Sequence, residues 1–170
     1  MDKQIFITNG TGGCGKDTFA DFMKERLRVM KVSSIDKVKD IAKDCGWNGG
    51  KTERDRKFLS DLKLLTTEYS DMAFTDISKS VYRFRKSNTR DVLIIDIREP
   101  NEIERAKRTF GARTILIVRD GLESITSNMA DANVNNYDYD FVIHNDGTLD
   151  DFRNTVYEFI DTHILEKESN

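Results

Sequence analysis

Proline, cysteine and histidine are scarce in this chain of 170 residues, with 1, 2 and 2 of each, and each shortage excludes something. A single proline leaves no polyproline or low-complexity tract, so a packed globule is expected rather than a disordered segment. Cys14 and Cys45 are too few for a disulfide framework or a cysteine metal cluster, and a reducing cytoplasm is the expected setting. His144 and His163 lack acidic or cysteine neighbours at ligand spacing and read as solvated or core-edge side chains. No run approaches the roughly 18 apolar residues of a membrane span. Met1 to Gln4 lead straight into a strand-like run, so neither a signal peptide nor a membrane partner is expected. The formal net charge of -3 provides no basic excess for gripping nucleic acid, and any anion site has to be built locally.

What the chain does have is alternation. Short apolar runs bounded by turn signals are separated by stretches of helical period. Ile5 to Ile7 predict a first strand, and Lys16 to Met30 a helix with Phe19, Phe22, Met23, Leu27 and Met30 on one face. A weaker strand is expected over Lys31 to Ile35, then a short helix from Asp36 to Cys45 and a loop over Gly46 to Gly50. Two further helices are predicted, one burying Phe58, Leu62, Leu65, Tyr69 and Met72, the other Ala73, Ile77, Val81 and Phe84. Val92 to Ile97 and Thr114 to Val118 read as central parallel strands, with a helix from Pro100 to Gly111 between them. Phe141 to Ile143 predict a last strand. Thr148 and Asp151 then open a final helix through Phe152, Val156, Phe159, Ile160 and Ile164. The expected fold is α/β: five parallel strands with helices on both faces, as one domain over residues 1–170. The all-helical stretch at about 36–88 is placed as a substrate-capping insert, and about 120–139 as a short lid.

One segment carries a specific chemistry. Gly10-Thr11-Gly12-Gly13-Cys14-Gly15-Lys16-Asp17-Thr18 has the Walker A spacing and lies between a strand and a helix. A polyphosphate needs several backbone N–H groups aimed at one point, which requires a tight loop free of obstructing side chains. The positive end of the following helix adds to the attraction, and Lys16 supplies a mobile charge. This points to a three-layer P-loop NTPase fold that binds ATP-type phosphates. The usual hydroxyl after the lysine is replaced by Asp17, so Thr18 becomes the candidate Mg²⁺ ligand. Asp17 is either a helix-start carboxylate or an orienter of metal-bound water. Cys14 either fills space or is an oxidisable thiol.

Asp96 ends the apolar run Val92 to Ile95, where a carboxylate is costly unless paired or facing a metal. It is a candidate to hold Mg²⁺, and Arg98, two residues on, to clamp a second phosphate. A structural Asp96–Arg98 pair is the alternative. Tyr82-Arg83-Phe84-Arg85-Lys86 interleaves rings and cations, as a base-and-phosphate grip or an ordinary helix end does. Trp47 either closes over a base or caps a core edge.

The Gly-Lys-Asp loop and the segment Asp96-Ile97-Arg98-Glu99-Pro100-Asn101-Glu102 together resemble the phage-type deoxynucleoside monophosphate kinases. Glu99 stands where that family has an aromatic residue. Asp36 and Lys39 match an Asp-Pro-Leu-Lys element after the second strand, without its proline. Asn145-Asp146-Gly147 resembles the loop that, in monophosphate kinases, lies against the base of ATP. The resemblance implies catalytic roles for Lys16, Asp96 and Arg98, with Asp36, Lys39, Arg83, Arg85 and Arg98 around a small phosphorylated acceptor. Arg119, at the end of a strand, either acts on the transferring phosphoryl group or is an ordinary solvated charge. A kinase acting on dephospho-coenzyme A or phosphomevalonate, and a non-catalytic ATP- or GTP-binding module, are the other readings. A GTPase switch is disfavoured, since no Asn-Lys-x-Asp signature precedes the last helix.

Overall fold

The structure, a computed structural model, describes residues 2–121, 134 and 137–165. Five parallel strands form one sheet: β1 (Gln4–Asn9), β2 (Val29–Ser33), β3 (Val92–Asp96), β4 (Arg113–Val118) and β5 (Phe141–His144). Their order is β2-β3-β1-β4-β5, so β1 lies between β3 and β4 and its exit faces the crevice where the strand order reverses. Helices α1 (Lys16–Arg26) and α6 (Leu149–Ile160) cover one face. Helices α4 (Met72–Lys86) and α5 (Pro100–Phe110) cover the other.

The two cores follow from the pleat. Phe6, Val92, Ile94, Ile115 and Ile117 point to the α1 and α6 side, where Phe19, Phe22, Met23, Phe152, Val156 and Phe159 meet them. Ile5, Ile7, Leu93 and Ile95 point the other way, toward Ile77, Val81, Phe84, Ile103 and Phe110. Strands buried on both faces need continuous apolar sequence, and Val92 to Ile95 provide it. Arg113 closes the amino end of the first core with its guanidinium over the rings of Phe6 and Phe141, at 4.7 and 5.3 Å.

Several expectations are adjusted. Helix α1 stops at Arg26 rather than running to Met30, and β2 occupies Val29–Ser33. Pairing of Val29 to Ser33 with Val92 to Asp96 captures Val29 and Met30, which the helical period assigns to α1. Helix α3 (Glu53–Ser70) turns a different face inward from the one predicted. Leu59 is its buried residue, while Leu65 is 63% and Tyr69 90% exposed. In the stretch expected as an insert, α2 (Asp36–Asp44) and α3 make a small separate cluster of Val38, Ala42 and Leu59, with Trp47 and Leu62 at its edge. Trp47 donates to the Gly50 carbonyl at 3.1 Å. Helix α4 instead belongs to the layer on the sheet.

Helix α6 starts at the expected Thr148 and Asp151 capping box and brings Phe152 to the Phe22 ring, 5.9 Å between centroids. Phe152→Ala is expected to destabilise the fold by about 3–5 kcal/mol, the usual range for a fully buried ring. Chemical denaturation measures it. A loss below about 1 kcal/mol would mean that α6 is not part of this core.

Candidate functional site

The site begins where β1 runs out. Asn9 is fully buried and holds three neighbours at once. Its Oδ1 accepts from the Gly10 amide at 2.8 Å, and its Nδ2 donates to the Arg98 carbonyl at 3.1 Å and the Tyr139 hydroxyl at 2.8 Å. The start of the phosphate loop is thereby fixed to the segment following β3.

Two glycines let the loop fold. Gly10 has φ 148°, and a Cβ there would lie 2.4 Å from the Ile117 carbonyl and 2.5 Å from Cys14 Sγ. Gly15 has φ 106°, and its Cβ would meet Asn145 Nδ2 at 2.6 Å. Asn145, just past β5, donates that Nδ2 to the Cys14 carbonyl at 2.9 Å. Cys14 is buried, which agrees with a space-filling role. Gly15 caps α1 without a side-chain acceptor, so the first helical N–H groups stay open to an anion. Lys16 folds over its own loop, donating to the carbonyls of Gly10 at 2.6 Å and Thr11 at 3.0 Å. Those weak partners can be exchanged for a phosphate.

Beside the loop sits a charged bridge that sequence spacing did not reveal. Lys31, in the middle of β2, points toward α1 and is only 18% exposed in its side chain. Its ammonium contacts Asp17 and reaches Asp96 Oδ2 at 3.1 Å. The other Asp96 oxygen accepts the Thr8 hydroxyl. Hydrogen bonding from Lys31 lowers the Asp17 carboxyl pKa, helped by the nearby charges of Lys16 and Lys39. Burial alone would lower the Lys31 pKa, but Asp17 and Asp96 together raise it above its ordinary value. Asp17 is therefore an ion-pair partner, a role beyond the two considered from sequence. No local sequence signal points to it, because Lys31 comes beside Ile94, two residues short of Asp96, only through the pairing of β2 with β3.

The remaining candidates divide by position. Arg98 follows β3 at the same carboxyl edge, half-buried, and Arg119 follows β4 there, exposed. Lys39 lies on α2, close enough to act on Asp17. Asp36 opens α2 and accepts from the Ser33 amide at 2.7 Å, which fixes the turn after β2. Asn145 braces the phosphate loop, and Gly147 packs against Asp151 in the capping turn. Arg83 and Arg85 do not join this group. They lie in the last turn of α4, whose end is tied to Lys3 at the amino edge of the sheet. Arg85 donates to the Phe110 carbonyl at 3.0 Å, and Arg83 to Ser80 Oγ at 3.0 Å. The last turn of α4 therefore lies at the amino edge of the sheet, across from the strand ends that carry the phosphate loop. Most of the expected lid, 122–133 with 135 and 136, lies outside the described residues.

The donors present suit Mg²⁺. Asp96, Asp17 and the Thr18 hydroxyl are hard oxygen groups, and Mg²⁺ is commonly held by one or two carboxylates together with substrate phosphates. Among the described residues there is no cluster of three or more histidine, cysteine or acidic side chains that would hold a metal unaided.

A family model described as deoxynucleotide monophosphate kinase matches residues 68–156, more than half of the chain. The chain belongs to that family. It is a nucleotide-binding kinase with a P-loop fold. The matched residues include Asp96, Arg98, Arg119 and Asn145, while the phosphate loop lies before them and rests on its own geometry. No curated protein matches the chain. Among solved structures, TT1252 from Thermus thermophilus is 15% identical, with a TM-score of 0.53 over 96% of this chain and 99% of that one. A dephospho-CoA kinase from Campylobacter jejuni is 17% identical, with a TM-score of 0.51 over 94% and 96%. Likeness at this identity concerns the fold. Among the described residues no helix is long and apolar enough to cross a membrane.

The bridge gives this kinase a pH signature. The lowered Asp17 pKa contributes stability above its unfolded value of 3.8, lost as pH falls through the folded value. The raised Lys31 pKa contributes below 10.5 and is lost only above the folded value. Asp17→Asn is expected to cost no more than about 1 kcal/mol at pH 7, because the carboxylate is largely exposed. Denaturation at several pH values should show that difference shrinking below 3.8 and steady from pH 5 to 9. A difference that grows in acid would contradict the assignment.

Proposed function

We propose that the chain transfers the γ-phosphoryl group of ATP to the phosphate of a nucleoside monophosphate, with deoxynucleotides as the first class to test. The observation that carries this reading is convergence. A glycine loop shaped for phosphates is fixed through Asn9 to the segment bearing Arg98, beside Asp96 at the same strand ends. That arrangement offers one phosphate site on the loop and a second cation a short distance away, which two phosphorylated ligands need.

In this reading the amides of Gly10 to Gly15 and the start of α1 bind the β- and γ-phosphates. Lys16 leaves the carbonyls of Gly10 and Thr11 and follows the moving phosphoryl group. Thr18 and Asp96 would hold Mg²⁺, which supplies charge neutralisation between the phosphates when bound. Arg98 and Lys39 hold the acceptor phosphate, and Arg119 stabilises the charge in transit. An oxygen of the acceptor phosphate forms the new P–O bond while the bond to the β-phosphate bridging oxygen breaks, releasing ADP. A phosphate dianion needs no general base. Helices α2 and α3 are proposed as one cover that keeps water from competing, and the lid role expected of 120–139 from sequence as the other.

ADP release with Mg·ATP is the deciding measurement, made with each ribo- and deoxynucleoside monophosphate, dephospho-coenzyme A and no acceptor. Turnover dependent on one or a few monophosphates is expected. Lys16→Ala should reduce it at least a hundredfold with little change in melting temperature, on the order seen when a transition-state charge contact is lost. Stimulation by dephospho-coenzyme A alone would replace the acceptor assignment. Undiminished activity in Lys16→Ala would remove the phosphate loop from the mechanism.

A further inference from the structure

A lysine on an edge strand ordinarily points outward and serves solubility. Lys31 does the opposite. Its strand, β2, is at the edge of the sheet, but its side chain lies inward with 18% exposure, between the helix start at Asp17 and the strand end at Asp96. One ammonium thus contacts a carboxylate on α1 and a carboxylate on β3. Asp17 directly follows the phosphate-loop lysine, the position at which such loops usually place a metal-binding hydroxyl, and Asp96 is the strand-end carboxylate. The two acidic groups best placed to attract a divalent cation therefore already share a cation of the protein's own.

We infer that Lys31 is a resident counter-cation that keeps divalent metal away from Asp17 and Asp96 in the absence of nucleotide, so that metal enters only together with nucleotide phosphates. The inference rests on the Mg·ATP reading given above. The electrostatic logic is direct. Asp17 and Asp96 alone present two negative charges to a metal; with Lys31 between them the local charge falls to one, and the ammonium occupies the space. The Lys16 ammonium also acts on Asp17, as does that of Lys39, so the protein's own cations balance the carboxylates. ATP changes the balance, because its phosphates bring their own negative charge and their own metal ligands. Asp96 accepts bonds on both oxygens, from Thr8 and Lys31, so neither oxygen is without a donor.

Mn²⁺ is the probe, titrated into the full chain without nucleotide or acceptor and followed by the electron paramagnetic resonance of the free ion. The natural protein is expected to bind it only weakly. Lys31→Met should bind at least tenfold more tightly, and Lys31→Arg, which keeps the charge, should stay weak. Adding Asp17→Asn to Lys31→Met should reverse the gain. Should Lys31→Met fail to fold, Lys31→Gln, neutral but able to hydrogen-bond to both carboxylates, is expected to show the same gain. Tight binding by the natural protein, or no gain in a folded neutral variant, overturns the inference. Since neither ATP nor acceptor is present, the titration can fail while phosphoryl transfer is observed, and it can succeed if the acceptor proves to be of another class.

Discussion

Backbone closeness at the end of β1 is the constraint on which the site depends. At Gly10 the chain passes so near the Ile117 carbonyl that even a methyl group would not fit, and at Gly15 the Asn145 amide takes the space of a side chain. These contacts come from β4 and from the segment after β5, so the loop's shape is set by the sheet beneath it and by the turn leading into α6. The capping box of Thr148 and Asp151 and the buried Phe152 hold that turn in place. A binding surface for phosphates is thereby built from parts that are mostly far from it in sequence.

Local charge placement achieves what overall charge does not. The chain is acidic, yet Lys16, Lys31 and Lys39 surround one exposed carboxylate beside the phosphate loop. Asp17 holds part of this group together while keeping the net positive charge modest. Arg98 and Arg119 stand at the ends of β3 and β4, on either side of β1, so both flank the loop's exit. The family to which the chain belongs acts on phosphorylated nucleotides, and such a distribution suits ligands that arrive with several negative charges.

The sheet and the loop were legible because their signals are local. Glycine spacing, a lysine in register and apolar runs all lie within a few residues of one another, and the five strands and their covering helices follow from them. What was not legible depends on which strand lies beside which. Lys31 and Asp96 are adjacent only because β2 pairs with β3, and Asn9 reaches Arg98 only because β3 lies next to β1. Arg85 shows the reverse. Its sequence neighbours suggest a phosphate grip, but the direction of α4 carries it to the far edge of the sheet. On α3 the apolar period extends over more residues than the small α2 cluster can bury, so periodicity alone chose the wrong face.

The two edges of the sheet are short, five residues in β2 and four in β5. An edge strand offers unpaired amides and carbonyls to any neighbouring chain, and length and flat apolar faces make that offer worse. In β2 a buried-side ammonium interrupts the apolar face at its centre. A second strand docking on that edge would crowd a lysine already committed to Asp17 and Asp96. An inward-pointing charge at the centre of a short edge strand is one of the devices by which sheets are blunted against edge-to-edge pairing, so the lysine of the charged bridge also marks the sheet's edge.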